Sequence, residues 1–361
     1  MNNKKRYVYM DYLRVLAILG VVVIHVSGLN WSELEIGSWD FNVHTMYNLV
    51  GRYSVCVFCM ISGALFLRPE KDITIRVIVT KYIKRILICF FVWLFLYAIL
   101  FTVMDKGDFS YFIENLFELP MHMWYLLMII GLYLVLPILR LIAKDKKITL
   151  YMIWLLIAFA FFFRTFSGIR NLFPENWVDS LGFRIVDNLI INVNYMNVSF
   201  VPGYLGLFML GHYIHEYGVG KWHKALTISV IPALVLSGIL TIVVSSWREM
   251  YVTLFMLESN LLIILASAGM FEFFKNSKTG DRVYDPDVGL NKAVSIVADH
   301  AFGIYLVHYG LNKVLNHYFE LNSLSFEPLI AIPVIVLLVA IVSFLIVAVL
   351  KKIPFVRIIV S

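Results

Sequence analysis

A chain of 361 residues that is 61% hydrophobic and only 15% charged cannot clothe a water-facing surface, because soluble globular proteins carry about 45 to 50% apolar and about 25% charged residues. Intrinsic disorder, a disulfide scaffold and nucleic-acid binding are disfavoured from the outset. The formal net charge of +6 imitates a nucleic-acid signal only until it is located, since Lys and Arg collect in the cytoplasmic loops of membrane proteins.

The chain reads as an all-α polytopic integral membrane protein, a single domain over 1–361. Apolar runs at 10–29, 44–67, 82–104, 121–143, 148–165, 197–214, 225–245, 251–274, 293–317 and 327–350 predict about ten transmembrane helices. Spans of about 20 residues would use roughly 200 positions and leave room for loops alone. With the N-terminus in the cytoplasm, 23 of the 30 basic residues fall on the inner side. Both termini are therefore expected to be cytoplasmic, since an odd number of spans would scramble the alternation.

In the first run Asp11 and Arg14 interrupt what would otherwise imitate a cleaved signal peptide. An ionisable group inside hydrocarbon is expensive and is usually kept for function. Arg14 and His25 are eleven residues apart, which at about 100° per residue returns to within roughly 20° of the same helix face, about 16 Å along the axis. Separately, Arg14 could snorkel to headgroups and His25 could hydrogen-bond a neighbouring helix. Cys56, Cys59 and Cys89 lie inside runs, where apolar burial is the commoner role. No His, Cys and carboxylate cluster has metal-ligand spacing, so no metal is expected. Residues 165–196 form the longest polar interval, with a loosely packed loop and an acceptor-binding lid both open. Pro137 and Pro202 are places where helices could break.

The stretch MDYLRVLAILGVVVIHVSG at 10–28 resembles the opening of the membrane-bound acyltransferase family 3, with its arginine, ten intervening residues and histidine. The likeness continues in RYSVCVFCMISGALFL (52–67), KYIKRILICFFVW (81–93), HMWYLLMIIGLYLVLPIL (122–139), VPGYLGLFMLGHYI (201–214) and FGIYLVHYGL (302–311). These six blocks stand in family order. The shape is closest to the stand-alone branch that acetylates polysaccharides or lipid-linked sugars, without a fused extracytoplasmic hydrolase-like domain. Some members have an arginine pair ahead of the third helix; this chain has Lys81, Lys84 and Arg85, which keeps the charge but not a bidentate arginine fork.

The resemblance implies a multi-pass plasma-membrane O-acyltransferase. It would take an acyl group, acetyl in most members, from acyl-coenzyme A in the cytoplasm to a hydroxyl of a cell-surface polysaccharide or lipid-linked sugar. Its partners would be membrane lipids and that acceptor. A sugar hydroxyl needs a general base near neutrality, for which His25 is suited. Arg14, at the cytoplasmic mouth, is placed with the catalytic set and as a contact to coenzyme A. Lys81, Lys84 and Arg85 would meet donor phosphates, or serve topology alone. Arg52 would orient the acceptor or the carbonyl, or anchor at headgroups. Ser62 and Gly63 make a small-residue notch for helix packing or for a pantetheine channel. His122, Trp124 and Tyr125 suit sugar stacking as well as an aromatic belt. Tyr305 and His308 join the acceptor side, with Asp299 and His300 nearer the cytoplasm; for His308 a hydrogen-bonding core role competes. Two rival functions remain at this point, a transporter of a glycan or acyl intermediate and a non-catalytic membrane sensor.

Overall fold

Each of the ten apolar runs holds at least one of the thirteen helices below, as expected where a backbone must satisfy its own hydrogen bonds away from water. The computed structural model describes residues 6–71, 73–170, 183–185, 188, 203–277 and 289–360. Among these residues no strand occurs. The helices are α1 (Val8–Ser27), α2 (Trp39–Gly51), α3 (Tyr53–Phe66), α4 (Lys84–Met104), α5 (Phe109–Phe117), α6 (Trp124–Ile142) and α7 (Lys146–Arg170). They continue with α8 (Gly203–Tyr217), α9 (His223–Ile228), α10 (Val230–Arg248), α11 (Leu261–Asn276), α12 (Leu290–Phe319) and α13 (Pro328–Leu350). Among the described residues, seven helical stretches are long and apolar enough to cross a membrane: Val8–Glu33, Trp39–Phe66, Ile75–Met104, Trp124–Ile142, Val230–Arg248, Leu254–Asn276 and Pro328–Leu350. Large apolar side chains project from them into the surroundings, among them Phe91, Leu134, Ile231 and Leu337. A surface of that kind is stable in lipid and not in water.

Local sequence explains the interruptions. Ser38 caps α2 by accepting from the Phe41 N–H at 3.1 Å, the ordinary role of serine at a helix start. The second run is two helices meeting at Arg52, whose N–H bonds to Leu49 one residue short of the α-helical spacing, 3.1 Å away. Before α4 the chain makes π-helical turns over Ile78–Ile83. Pro137 lies within α6 without ending it; Pro202 lies outside the described residues, as does most of 165–196.

Two close crossings hold the centre. A Cβ added at Gly63 would stand 1.7 Å from the Phe208 carbonyl oxygen, and one at Gly211 would stand 2.1 Å from that of Met60, so α3 and α8 touch backbone to backbone. Gly20 and Gly51 do the same for α1 and α2, with a Cβ on Gly51 only 2.4 Å from the Gly20 carbonyl oxygen. The Gly63 half of the notch is thus taken by helix packing. All three cysteines are free and buried; the Cys56 and Cys59 thiols point at the carbonyls of Glu258 and Tyr204.

One end of the bundle is basic. Arg140 gathers the carbonyls of Phe66, Arg68 and Lys71, capping α3. Arg6, ahead of α1, grips Asp299 on α12 at 2.9 Å. Lys351, just after α13, donates to the Asp299 carbonyl at 2.6 Å. The described beginning and end of the chain therefore meet at the same end.

Candidate active site

Arg14 and His25, on one face of α1, line the same cavity of about 240 Å³. Its other walls come from α3, from the start of α6 and from α12, through Phe58, His122, Trp124, Tyr125, Asp299 and Tyr305. A second cavity of about 370 Å³ shares Arg14, Phe58, Tyr125 and Phe302 with the first and adds Ser62, Tyr82 and Arg85. Together they run from the basic end to mid-bundle. A mostly apolar space with a few convergent polar groups is the ordinary form of a small-molecule site.

The mouth is charged but balanced. Asp11, almost fully buried, accepts from Arg14 Nη1 at 2.7 Å and from Arg6 Nε at 2.6 Å, while Arg6 also pairs with Asp299. Those four charges cancel, so the surplus cation at the cavity wall is Arg85. Lys84 faces a groove on the outer side of α4 instead, and Lys81 lies over the Tyr82 ring. The basic triplet expected to act together is thus split.

At the inner end three imidazoles converge. The ring centroids of His25 and His308 are 5.1 Å apart, those of His122 and His308 5.4 Å, and those of His25 and His122 6.2 Å. Tyr309 stacks on His122 at 4.9 Å. The Tyr305 hydroxyl donates to the His122 carbonyl at 2.6 Å, and that of Tyr97 donates to Leu306 at 2.7 Å. Among the described residues no group of three or more His, Cys, Asp or Glu is arranged to hold a metal ion.

The helix that carries His25 is tied at its last turn. Asn312 donates to the His25 carbonyl and Asn48 to that of Ile24, each at 3.0 Å, so two carbonyls at the helix end find amide partners. Arg52 Nε donates to Asn48 at 2.8 Å, and its guanidinium pairs with Glu258 at 3.7 Å. Tyr204 completes the set by donating to Glu258 at 3.3 Å. Arg52 therefore braces the His25 turn from behind and does not line either cavity.

The structure brings together Arg14, His25, His122, Trp124, Tyr125 and Tyr305, with His308 behind them and Ser62 and Arg85 in the adjoining space. Gly63, Lys81 and Lys84 line neither cavity. His300 bonds the Ile296 carbonyl on its own helix, apart from the cavity. Sequence reasoning missed Asn48, Glu258 and Asn312, although an acid within the run 251–274 met the criterion that singled out Asp11.

A family model described as an acyltransferase domain matches residues 7–350, nearly the whole chain. The chain belongs to acyltransferase family 3. No curated protein and no solved structure matches it. Family membership and the apolar helices together make this a multi-pass membrane acyltransferase, and the match runs through every helix from α1 to α13.

Proposed function

We propose that this acyltransferase draws an acyl group, acetyl above all, from acyl-coenzyme A on the cytoplasmic side and places it on a hydroxyl of a cell-surface polysaccharide or lipid-linked sugar. The observation that carries the reading is that Arg14 and His25 share one cavity wall about 16 Å apart along α1. Beside Arg14, whose charge Asp11 offsets, the surplus cation Arg85 in the adjoining cavity suits a phosphate-bearing donor, and an imidazole at the inner end suits proton abstraction.

The proton of the acceptor hydroxyl passes to a nitrogen of His25 as the oxygen bonds to the thioester carbonyl carbon. The intermediate then collapses, the C–S bond breaks, and His25 returns the proton to the departing thiolate. Arg14 and Arg85 hold the donor's phosphates, while Trp124 and Tyr125 offer aromatic faces to the acceptor. About ten spans, cytoplasmic termini and a plasma-membrane location belong to the same reading; the meeting of Arg6, Asp299 and Lys351 at the basic end supports both termini lying on one side.

The test is acetyl transfer from radiolabelled acetyl-coenzyme A by the full chain, in vesicles of the cell's own membrane with its glycans attached. The expected result is label in the glycan fraction with matching release of coenzyme A thiol. His25→Gln should lower that transfer by about 10² to 10⁴, the usual contribution of general-base assistance, with donor binding retained. A His25→Gln protein that is folded and transfers at the wild-type rate overturns the base assignment; a transporter or sensor would release no thiol at all.

A further inference from the structure

A histidine serves as a base through one bare nitrogen, and which nitrogen is bare depends on what the other one bonds. Among the described residues, the aromatic ring nearest to His25 is that of His308, with centroids 5.1 Å apart. His308 on α12 is fully buried, and its Nδ1 lies 3.1 Å from the Ile304 carbonyl. A carbonyl only accepts, so Nδ1 carries the hydrogen and Nε2 is a lone pair. That Nε2 is buried with no hydrogen-bond partner, a costly state for a polar atom, and the nearest imidazole is His25.

We propose that His308 is the positioning residue of His25: its Nε2 accepts an N–H from the His25 ring, leaving the opposite nitrogen bare for the acceptor's proton. The inference rests on the reading of His25 as the base. It also gives the imidazolium formed during the reaction a hydrogen-bond acceptor inside an apolar wall. The rings meet at 50° without a closed hydrogen bond, and bonds of this kind tighten as substrate fills a site. His122 is a poorer fit, because its ring stands farther from His25 and is stacked flat on Tyr309. Among the described residues, the other ionisable groups around His25 are Tyr305 and Tyr309 on α12, Tyr125 on α6, Tyr97 on α4, Arg52 behind it and, toward the mouth, Arg14 and Asp299.

The experiment compares His308→Leu and His308→Gln with the parent and with His25→Gln, each as the full chain in the same vesicles, by thiol release from acetyl-coenzyme A. His308→Leu should lower kcat by about 10- to 100-fold, the effect of removing a group that orients a working imidazole, with KM for acetyl-coenzyme A unchanged. Without the acceptor the imidazolium is less favoured, so the acid limb of the kcat/KM profile should move to lower pH. His308→Gln keeps an acceptor near Nε2 and should restore most of kcat. If the Leu variant does not fold, His308→Asn, whose shorter amide falls short of His25, takes its place. An inactive His25→Gln beside a His308→Leu with parental kcat and an unmoved acid limb overturns the positioning role alone. An active His25→Gln overturns the base reading and the inference with it.

Discussion

Arg85 stands at the cavity wall while Lys81 and Lys84 do not, and the reason is backbone geometry. A reading at 3.6 residues per turn places Lys81 and Arg85 almost above one another. The π-helical turns over Ile78–Ile83 insert extra residues per turn and rotate that face. Arg85→Gln should therefore raise KM for acetyl-coenzyme A by roughly three- to tenfold, between an exposed ion contact and a charge-assisted hydrogen bond. The Lys81→Gln, Lys84→Gln double variant should leave it within about twofold. Initial rates against donor concentration check this, and equal effects from the two variants would count against the assignment. The relation of Arg14 to His25 was legible because eleven residues of uninterrupted helix admit only one geometry. The meeting of His25 with His122 and His308 was not, because it depends on how α1, α6 and α12 pack across more than 280 positions of sequence. Glu258 was visible as an acid in an apolar run, but its partner Arg52 lies some 200 residues earlier.

At the scale of elements, glycines decide where helices touch. A methyl at Gly63 collides with the backbone of Phe208, which has no rotamer with which to yield. Gly63→Ala should destabilise the bundle by about 1 to 3 kcal/mol or more through overpacking, whereas Gly131→Ala on α6, with nothing within 4 Å of the added carbon, should be neutral or mildly stabilising. Thermal unfolding in detergent, followed by loss of monodisperse protein, compares them; equal midpoints would mean that α3 and α8 are not in backbone contact. Small residues at this position were readable as a packing notch from sequence, but the partner helix was not. The helix type of all ten runs was legible because hydrocarbon permits little else, while the division of the second run at Arg52 and the π turns before α4 leave no compositional trace.

For the molecule as a whole, the charge distribution sets an orientation. If the ten apolar runs alternate across the membrane, 23 of the 30 basic residues fall on one side, and the basic end should face the cytoplasm. A single cysteine in place of Ser38, the residue that caps α2, should be labelled by an impermeant reagent from outside the cell, with reporters at both termini active inside. Labelling of Ser38→Cys from the cytoplasmic side alone would reverse the orientation.

The knot of Arg6, Asp11, Asp299 and Lys351 has a consequence for how the protein is made. A ribosome delivers α1 to the bilayer first, yet the groups that close the cavity over its Arg14 and His25 sit on α12, which emerges after nearly 300 residues. Until then the buried face of α1, with Asp11 held against Arg14 by a local bond three residues away, has no α12 to lie against. That local pairing leaves α1 with no net charge to carry into the membrane alone, and Arg6 remains at the surface until Asp299 arrives. The first helix synthesised is completed by one of the last, so no nascent chain that stops short of α12 can possess the cavity.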